Sequence, residues 1–270
     1  MPGVTDPIIA SRDCAAGHAG REVFAGVTLE VAAGETVSIV GPSGCGKSTL
    51  LLTLAGLHPP LRGTVLVDQT PIDGPDPRIG LVLQQYGLFP WFTVFRNATL
   101  GLAIRARQSG RRFDAAGAAD TARTLLARLG LDGRESDFPR QLSGGEQQRL
   151  ALCRTLLLEP EVLLLDEPFS ALDALTREEL QDLLLGLLSE RRVAAVLVTH
   201  SVDEAVYLGD RVGILSRDPG TAANEAARLL LAENPAGRRG VGRTDALYHD
   251  ACVRMRRRFA EAVRAEAARA

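Results

Sequence analysis

The stretch "GPSGCGKST", Gly41 to Thr49, restricts this chain more than any other. Gly41-x-x-x-x-Gly46-Lys47-Ser48 follows an apolar, β-rich run (Thr36 to Val40) and precedes a helical-looking run (Ser48 to Gly56). A glycine loop between a strand and a helix points several backbone amides inward, where they can wrap phosphate oxygens. Gly41, Pro42, Ser43, Gly44, Cys45, Gly46, Lys47, Ser48 and Thr49 are the expected phosphate contacts. Lys47 would neutralise the outer phosphates of a nucleoside triphosphate, and Ser48 would hold Mg²⁺. Composition sharpens this. Of 31 basic residues, Lys47 is the single lysine, and every other one is arginine. A planar guanidinium does not replace a compact ammonium where a loop closes tightly on phosphate.

Other runs fit a sheet built around that loop. "VFAGVTLEVAAGETVSIV" reads as two strands joined by a glycine-containing turn, "GTVLVDQTPI" as a hairpin, and "RIGLVLQQ" as a further strand. "EVLLLDEP" and "VAAVLVTH" are short apolar runs with polar ends, the pattern of buried parallel strands. "TREEL" and "SVDEA" after them fit the S/T-x-x-E start of a helix. Strands alternating with helices predict an α/β fold with active groups at the carboxyl ends of the strands. From Trp91 to Leu131 the pattern is helical, broken by polar "RQSGRRFD"; no strand is evident through Leu157, so residues 91–157 read as a helical insert.

The totals exclude several classes. Net charge is −2, so no global field draws the chain to nucleic acid. The start "MPGVTDPIIA" lacks the pattern of a signal peptide, and the longest apolar stretch, "TLLLTLAGL", falls well short of the ~20 residues that span a bilayer. Cys14, Cys45, Cys153 and Cys252 are scattered, as in a cytosolic chain with reduced thiols. Cys45 is expected to be reactive, because a helix start and a nearby lysine favour thiolate.

Three polar strand ends complete a candidate site. Asp166 ends "VLLLD" and suits an anchor for Mg²⁺. Glu167 follows it, where a carboxylate can orient or deprotonate an attacking water. His200 ends "AAVLVTH" and can reach a γ-phosphate; Gln84, after "GLVL", can touch Mg²⁺ or the water. A second anion-binding helix start lies at "QLSGGEQQRLAL", about a hundred residues past the first.

The chain resembles the nucleotide-binding subunits of ATP-binding cassette (ABC) transporters over roughly Val23 to Ser216. The resemblance rests on "GPSGCGKST", Gln84, "LSGGEQQR", "LLLDEP", "SALD" (Ser170 to Asp173) and His200, all in the family's order. It implies a P-loop NTPase (RecA-like) core with an N-terminal antiparallel β portion and an inserted helical subdomain. It implies ATP and Mg²⁺, with Ser48, Gln84 and Asp166 at the metal. It also implies that two subunits pack head to tail, as a homodimer or with a second ATPase subunit. Leu142, Ser143, Gly144, Gly145 and Glu146 of one would then close over the ATP of the other, and Asp173 would cross the same interface. Three positions depart from the family: His18 stands nearest the usual adenine-stacking aromatic, Glu146 stands where Gln is frequent, and Leu83 where Phe is common.

"YGLFPWFTVF" offers Tyr86, Leu88, Phe89 and Trp91 either for packing or as a groove for a short helix of a membrane subunit. In the tail, Leu247, Ala251, Met255, Phe259 and Val263 recur at helical spacing, so 226–270 reads as a helical appendage to an ATP-binding domain of 1–225. "LFPW" and "SALDALTR" resemble the nitrate, sulfonate and taurine uptake group. The expected role is therefore the ATPase subunit of an importer, peripheral on the cytoplasmic side of a bacterial inner membrane. It would work with integral permease subunits and, through them, a solute-binding protein. A soluble ABC ATPase acting on DNA or ribosomes is the alternative.

Overall fold

The computed structural model describes residues 6–18, 21–108, 114–217, 226–237 and 241–267. Five residues of the polar break read at "RQSGRRFD" lie outside them. Two sheets carry the fold of the described residues. β1 (Pro7–His18), β2 (Arg21–Ala32), β4 (Arg62–Val67) and β5 (Thr70–Ile72) form an antiparallel sheet of order β2-β1-β4-β5. The second sheet has order β10-β9-β3-β8-β7-β6, from β3 (Thr36–Val40), β6 (Ile79–Val82), β7 (Val162–Asp166), β8 (Ala194–Thr199), β9 (Arg211–Ser216) and β10 (Arg228–Glu233). Its strands run parallel except β10, which pairs antiparallel with β9. The two strands read from "VFAGVTLEVAAGETVSIV" both form, but β2 and β3 belong to different sheets. The turn between them carries the chain from one layer to the other.

Why apolar runs become central strands is visible in how they divide their side chains. Val162 and Leu164 of β7, with Ala194, Val196 and Val198 of β8, point to one core. Leu163, Leu165, Ala195 and Leu197 point to another. Alternate residues face opposite sides of a strand, so a strand covered on both faces must be apolar throughout. The first core lies between the two sheets and takes in Leu50, Leu51 and Leu54 of α1 (Lys47–Leu54). The second holds α2 (Val94–Gln108), α3 (Ala115–Arg128), α4 (Gly144–Leu156) and α5 (Ala174–Arg191) against the opposite face. The two phosphate-loop-like helix starts, those of α1 and α4, therefore sit on opposite sides of the central sheet.

Two local expectations change. "TREEL" does not start its helix. Asp173 caps α5, accepting a hydrogen bond from the Thr176 amide at 3.1 Å, so Thr176 lies inside the first turn. After "VAAVLVTH", Ser201 does cap α6 (Val202–Leu208), accepting from the Glu204 amide. The stretch 226–270 is not helical throughout. It begins with β10, an added edge strand, and continues into α7 (Ala246–Ala267). Ala251, Cys252 and Met255 of α7 are buried against α6 and β9, while Leu247 remains exposed.

Candidate functional site

The loop at Gly41–Thr49 takes its form from two glycines in the left-handed region, Gly44 (φ 78°) and Gly46 (φ 105°). At Gly46 a Cβ would also meet the Val23 side chain at 2.6 Å, so the close approach of β2 to the loop requires glycine. Gly46 is the N-cap of α1, and no side chain among the described residues caps it. The first amides of α1 are thus left for an anion. The Lys47 ammonium is held inside the loop by the carbonyl oxygens of Gly41 (2.9 Å) and Pro42 (3.1 Å). Ser43, Gly44 and Ser48 line the exposed mouth. Cys45 faces the other way. It is 2% exposed, and a Cβ on Gly41 would lie 2.6 Å from its sulfur. Its thiol packs under the loop, which corrects the expectation of a reactive cysteine: burial removes it from reagents.

The Ser48 hydroxyl donates to Asp166 at 3.2 Å. Burial pushes the Asp166 carboxyl above its ordinary value; the Ser48 hydrogen bond and the Lys47 charge oppose this, while neighbouring Glu167 adds to it. A buried carboxylate with a hydroxyl beside it and a second carboxylate next in sequence gains from a divalent cation. Oxygen donors of this kind suit Mg²⁺, which keeps several waters and takes few protein ligands. The residues present fit the ion.

Gln84, Glu167 and His200 come from three different strand ends and meet. Gln84 Nε2 donates to Glu167 Oε2 at 3.3 Å, and His200 Nδ1 lies 3.4 Å from the same oxygen. The order of the central sheet, with β6, β7 and β8 as neighbours, brings them together. Glu167 has φ 45°, an uncommon conformation for a residue with a side chain. Its amide donates to the Val198 carbonyl at 3.0 Å, which holds that turn in place. A carboxylate held this way, with an amide and an imidazole on one oxygen, can bind and orient a water.

Ser143 caps α4 in a reciprocal box. Its hydroxyl accepts from the Glu146 amide at 3.2 Å, and its own amide donates to the Glu146 carboxylate at 2.8 Å. Glu146 also reaches Arg134 at 3.3 Å; the Ser143 amide and this cation hold its carboxyl below the ordinary range. Leu142 is buried, anchoring the turn, while Ser143 and Gly144 are exposed. A Cβ on Gly145 would meet Thr176 at 2.9 Å, so this glycine lets α4 approach the first turn of α5. Asp173 is exposed beside it. Ser143, Gly144 and Asp173 thus share one open surface. His18 is exposed at the end of β1, with its ring 4.9 Å from that of His58.

After Gln84 the chain turns through Tyr86 and Gly87, both with positive φ. Tyr86 and Leu88 pack on the helical core. Trp91 is 67% exposed and stands against Phe89 and Phe92, at 5.9 and 6.2 Å between ring centres. The packing reading therefore holds for Tyr86 and Leu88, while Trp91 is left exposed.

A family profile described as ABC transporter matches residues 24–170. The chain belongs to the ABC transporter family. This ABC transporter chain is 44% identical over 223 residues to an aliphatic sulfonates import ATP-binding protein of Burkholderia cenocepacia (strain HI2424), covering 83% of the chain and 79% of the relative. It is 47% identical over 216 residues to one from Xanthomonas axonopodis pv. citri (strain 306), covering 78% and 81%. A solved ATP-binding cassette, a dimer in a post-hydrolysis state bound to ADP and Pi, superposes with a TM-score of 0.68 at 33% identity, over 76% of this chain and 93% of that one.

Sequence reasoning missed residues that brace the site of this ABC transporter chain. Asn97 is fully buried and bonds Phe89 and Phe92. Arg154 of α4 donates to the carbonyls of Gly87 (2.7 Å) and Tyr86 (2.8 Å). Arg177 donates to those of Phe169 and Leu172, fixing the turn before Asp173. A lone Asn inside an apolar helical run was the one available signal; an arginine among many carries none.

Proposed function

We propose that this chain is the ATP-hydrolysing subunit of an importer, coupling ATP binding and hydrolysis to uptake of an aliphatic sulfonate through a separate membrane permease. The carrying observation is the meeting of Gln84 and His200 on Glu167, next in sequence to the Asp166–Ser48 pair of the phosphate loop. In this reading Lys47 and the loop amides hold the phosphates of ATP. Ser48, Asp166 and Gln84 hold Mg²⁺, which supplies positive charge at the phosphate oxygens. Glu167 binds the attacking water and takes its proton, and His200 and Gln84 orient that carboxylate. His18 stacks on adenine.

Two chains pack head to tail, as a homodimer or with a second ATPase subunit. Ser143, Gly144, Gly145 and Asp173 of one complete the site of the other, a reading supported by the exposure of Ser143, Gly144 and Asp173 on one surface. Trp91 and Phe89 receive the permease, whose own partner is a solute-binding protein. No described helix is long and apolar enough to cross a membrane; in this reading the permease supplies the transport path. The chain sits on the cytoplasmic side of a bacterial inner membrane. The sulfonate is supported by the relatives named as aliphatic sulfonates import proteins, which do not favour the DNA or ribosome alternative.

Glu167→Gln tests the chemistry: it keeps ATP binding, loses steady-state turnover and accumulates an ATP-dependent dimer. Normal turnover by this variant refutes the assignment. The solute is tested with the reconstituted permease and binding protein. ATPase stimulation by a sugar or peptide, and by no sulfonate, refutes the solute alone.

A further inference from the structure

His200 is held in place chiefly through its chain neighbours. Its side chain is 62% exposed and meets Glu167 at 3.4 Å. Both flanking residues, however, are tied to one buried acidic residue, Thr199 to its carboxylate and Ser201 to its backbone amide. Glu204, 7% exposed, accepts a hydrogen bond from the Thr199 hydroxyl. That same hydroxyl accepts from the Ser201 amide at 3.1 Å, and the Glu204 amide donates to the Ser201 hydroxyl at 3.3 Å. His200 therefore sits at the apex of a turn cross-tied through Glu204. Burial raises the Glu204 carboxyl above its ordinary range, with the Thr199 and Gln181 hydrogen bonds opposing.

The other oxygen of Glu204 accepts from Gln181 Nε2 on α5, at 2.9 Å. A carboxamide can present either end. Rotated by half a turn, Gln181 would set its carbonyl against the carboxylate. What selects the bonding orientation is Arg243, whose guanidinium donates to Gln181 Oε1 at 2.9 Å. Arg243 lies beyond the central sheet, just ahead of α7. It donates to Asp182 at 2.9 and 3.2 Å and to the Glu178 carbonyl at 3.3 Å, all on α5. It also lies 3.7 Å over the ring of Tyr207 on α6. One guanidinium thus grips the helix that follows Asp173 and the helix that follows His200. Between these helices is a cavity of about 180 Å³ lined by Arg177, Gln181, Glu204, Tyr207 and Arg243.

We propose that Arg243 is a positioning residue for ATP hydrolysis: through Gln181, Glu204 and Thr199 it sets His200 against Glu167. This rests on the reading of His200 given above. Arg243 touches neither the phosphate loop nor the reacting atoms, so it acts on turnover and not on nucleotide affinity. The planar, forked head is required. A lysine ammonium can keep a partner on Asp182 yet does not span Asp182, Gln181 and the Tyr207 face together.

The test uses the full chain and steady-state ATPase kinetics. Arg243→Met is expected to lower kcat roughly tenfold, the scale of a small misplacement at a reacting centre, with KM for ATP unchanged. Gln181→Leu is expected to do the same. The double variant is expected to be no worse than the worse single one, because the two act in series. Arg243→Lys, which keeps the charge, is expected to lower kcat at the same KM, and it carries the test if Arg243→Met does not fold. An unchanged kcat, a fall in kcat matched by a rise in KM, or independent multiplication of the two single effects overturns the proposal. His200→Ala is assayed alongside. If it keeps full turnover, the reading of His200 itself fails; if it loses turnover while Arg243→Met does not, only the positioning role fails.

Discussion

Asn97 offers a quantitative check on how the surface beside Gln84 is built. It is fully buried, and four side-chain hydrogen bonds tie it to the preceding turn. Its carbonyl accepts from the Phe89 amide at 2.8 Å; its amide donates to Phe89, Phe92 and Thr93 at 3.0, 3.0 and 3.1 Å. Two of these partners keep another donor, since Phe89 O also accepts from the backbone amide of Phe92 and Thr93 O from the backbone amide of residue 97 itself. Asn97→Ala therefore orphans mainly the Phe89 amide and the Phe92 carbonyl. At 1–3 kcal/mol for each unsatisfied group, and at the low end because this turn lies near solvent, the loss is about 2–4 kcal/mol. With a denaturant slope of about 3 kcal/mol/M, the urea midpoint falls by roughly 1 M. Asn97→Asp keeps the shape and the contact with the Phe89 amide but turns an acceptor toward three carbonyls, so it is expected to destabilise at least as much as Asn97→Ala. Basal ATPase of the folded fraction stays near wild type, because Gln84 precedes the turn, while stimulation through the permease is lost. An Asn97→Asp variant milder than Asn97→Ala refutes the reasoning, since it means that donation to the carbonyls does not hold the turn.

The trans arrangement is checked with a mixed dimer of a Lys47→Ala subunit and a Ser143→Ala subunit: both defects fall in one composite site, so one of two sites still binds ATP, and impairment of both sites refutes it. Asp166→Asn removes a carboxyl whose value is raised by burial. Such a group favours the folded state below its unfolded value, near about 4, and that contribution is lost as pH rises through the raised one. The variant is thus expected to melt higher than wild type at pH 7 without nucleotide, and not at pH 3, while losing the stabilisation given by MgATP. An unchanged apo melting temperature at pH 7 counts against the buried charge. Cys45, packed under the phosphate loop, is expected to react with maleimide far more slowly than a free thiol until the protein is denatured. Rapid labelling of the native chain contradicts that burial.

The sequence alone determined what depends on near neighbours along the chain. The phosphate loop needs two positive-φ positions and a compact cation within nine residues, so Gly44, Gly46 and Lys47 were legible as they stood. The central strands were legible because strands buried on both faces must be apolar at every position. The start of α4 was legible at Ser143, although its box with Glu146 was not anticipated.

Only the tertiary structure decided the rest. Gln84, Glu167 and His200 are far apart in sequence and meet because β6, β7 and β8 are neighbours, an order that no local pattern encodes. The choice of Asp173 over Thr176 as the cap of α5 follows from where the turn held by Arg177 lets the helix begin. Cys45 was misread because a helix start favours thiolate only where the sulfur faces solvent, and its direction is fixed by packing beneath Gly41. The strand β10 was hidden in a segment read as helix, since an edge strand is chosen by the partner it pairs with, here β9. Arg243 is one arginine among many until the fold sets it between α5 and α6, because a guanidinium gains its role from the groups that surround it and not from its place in the chain.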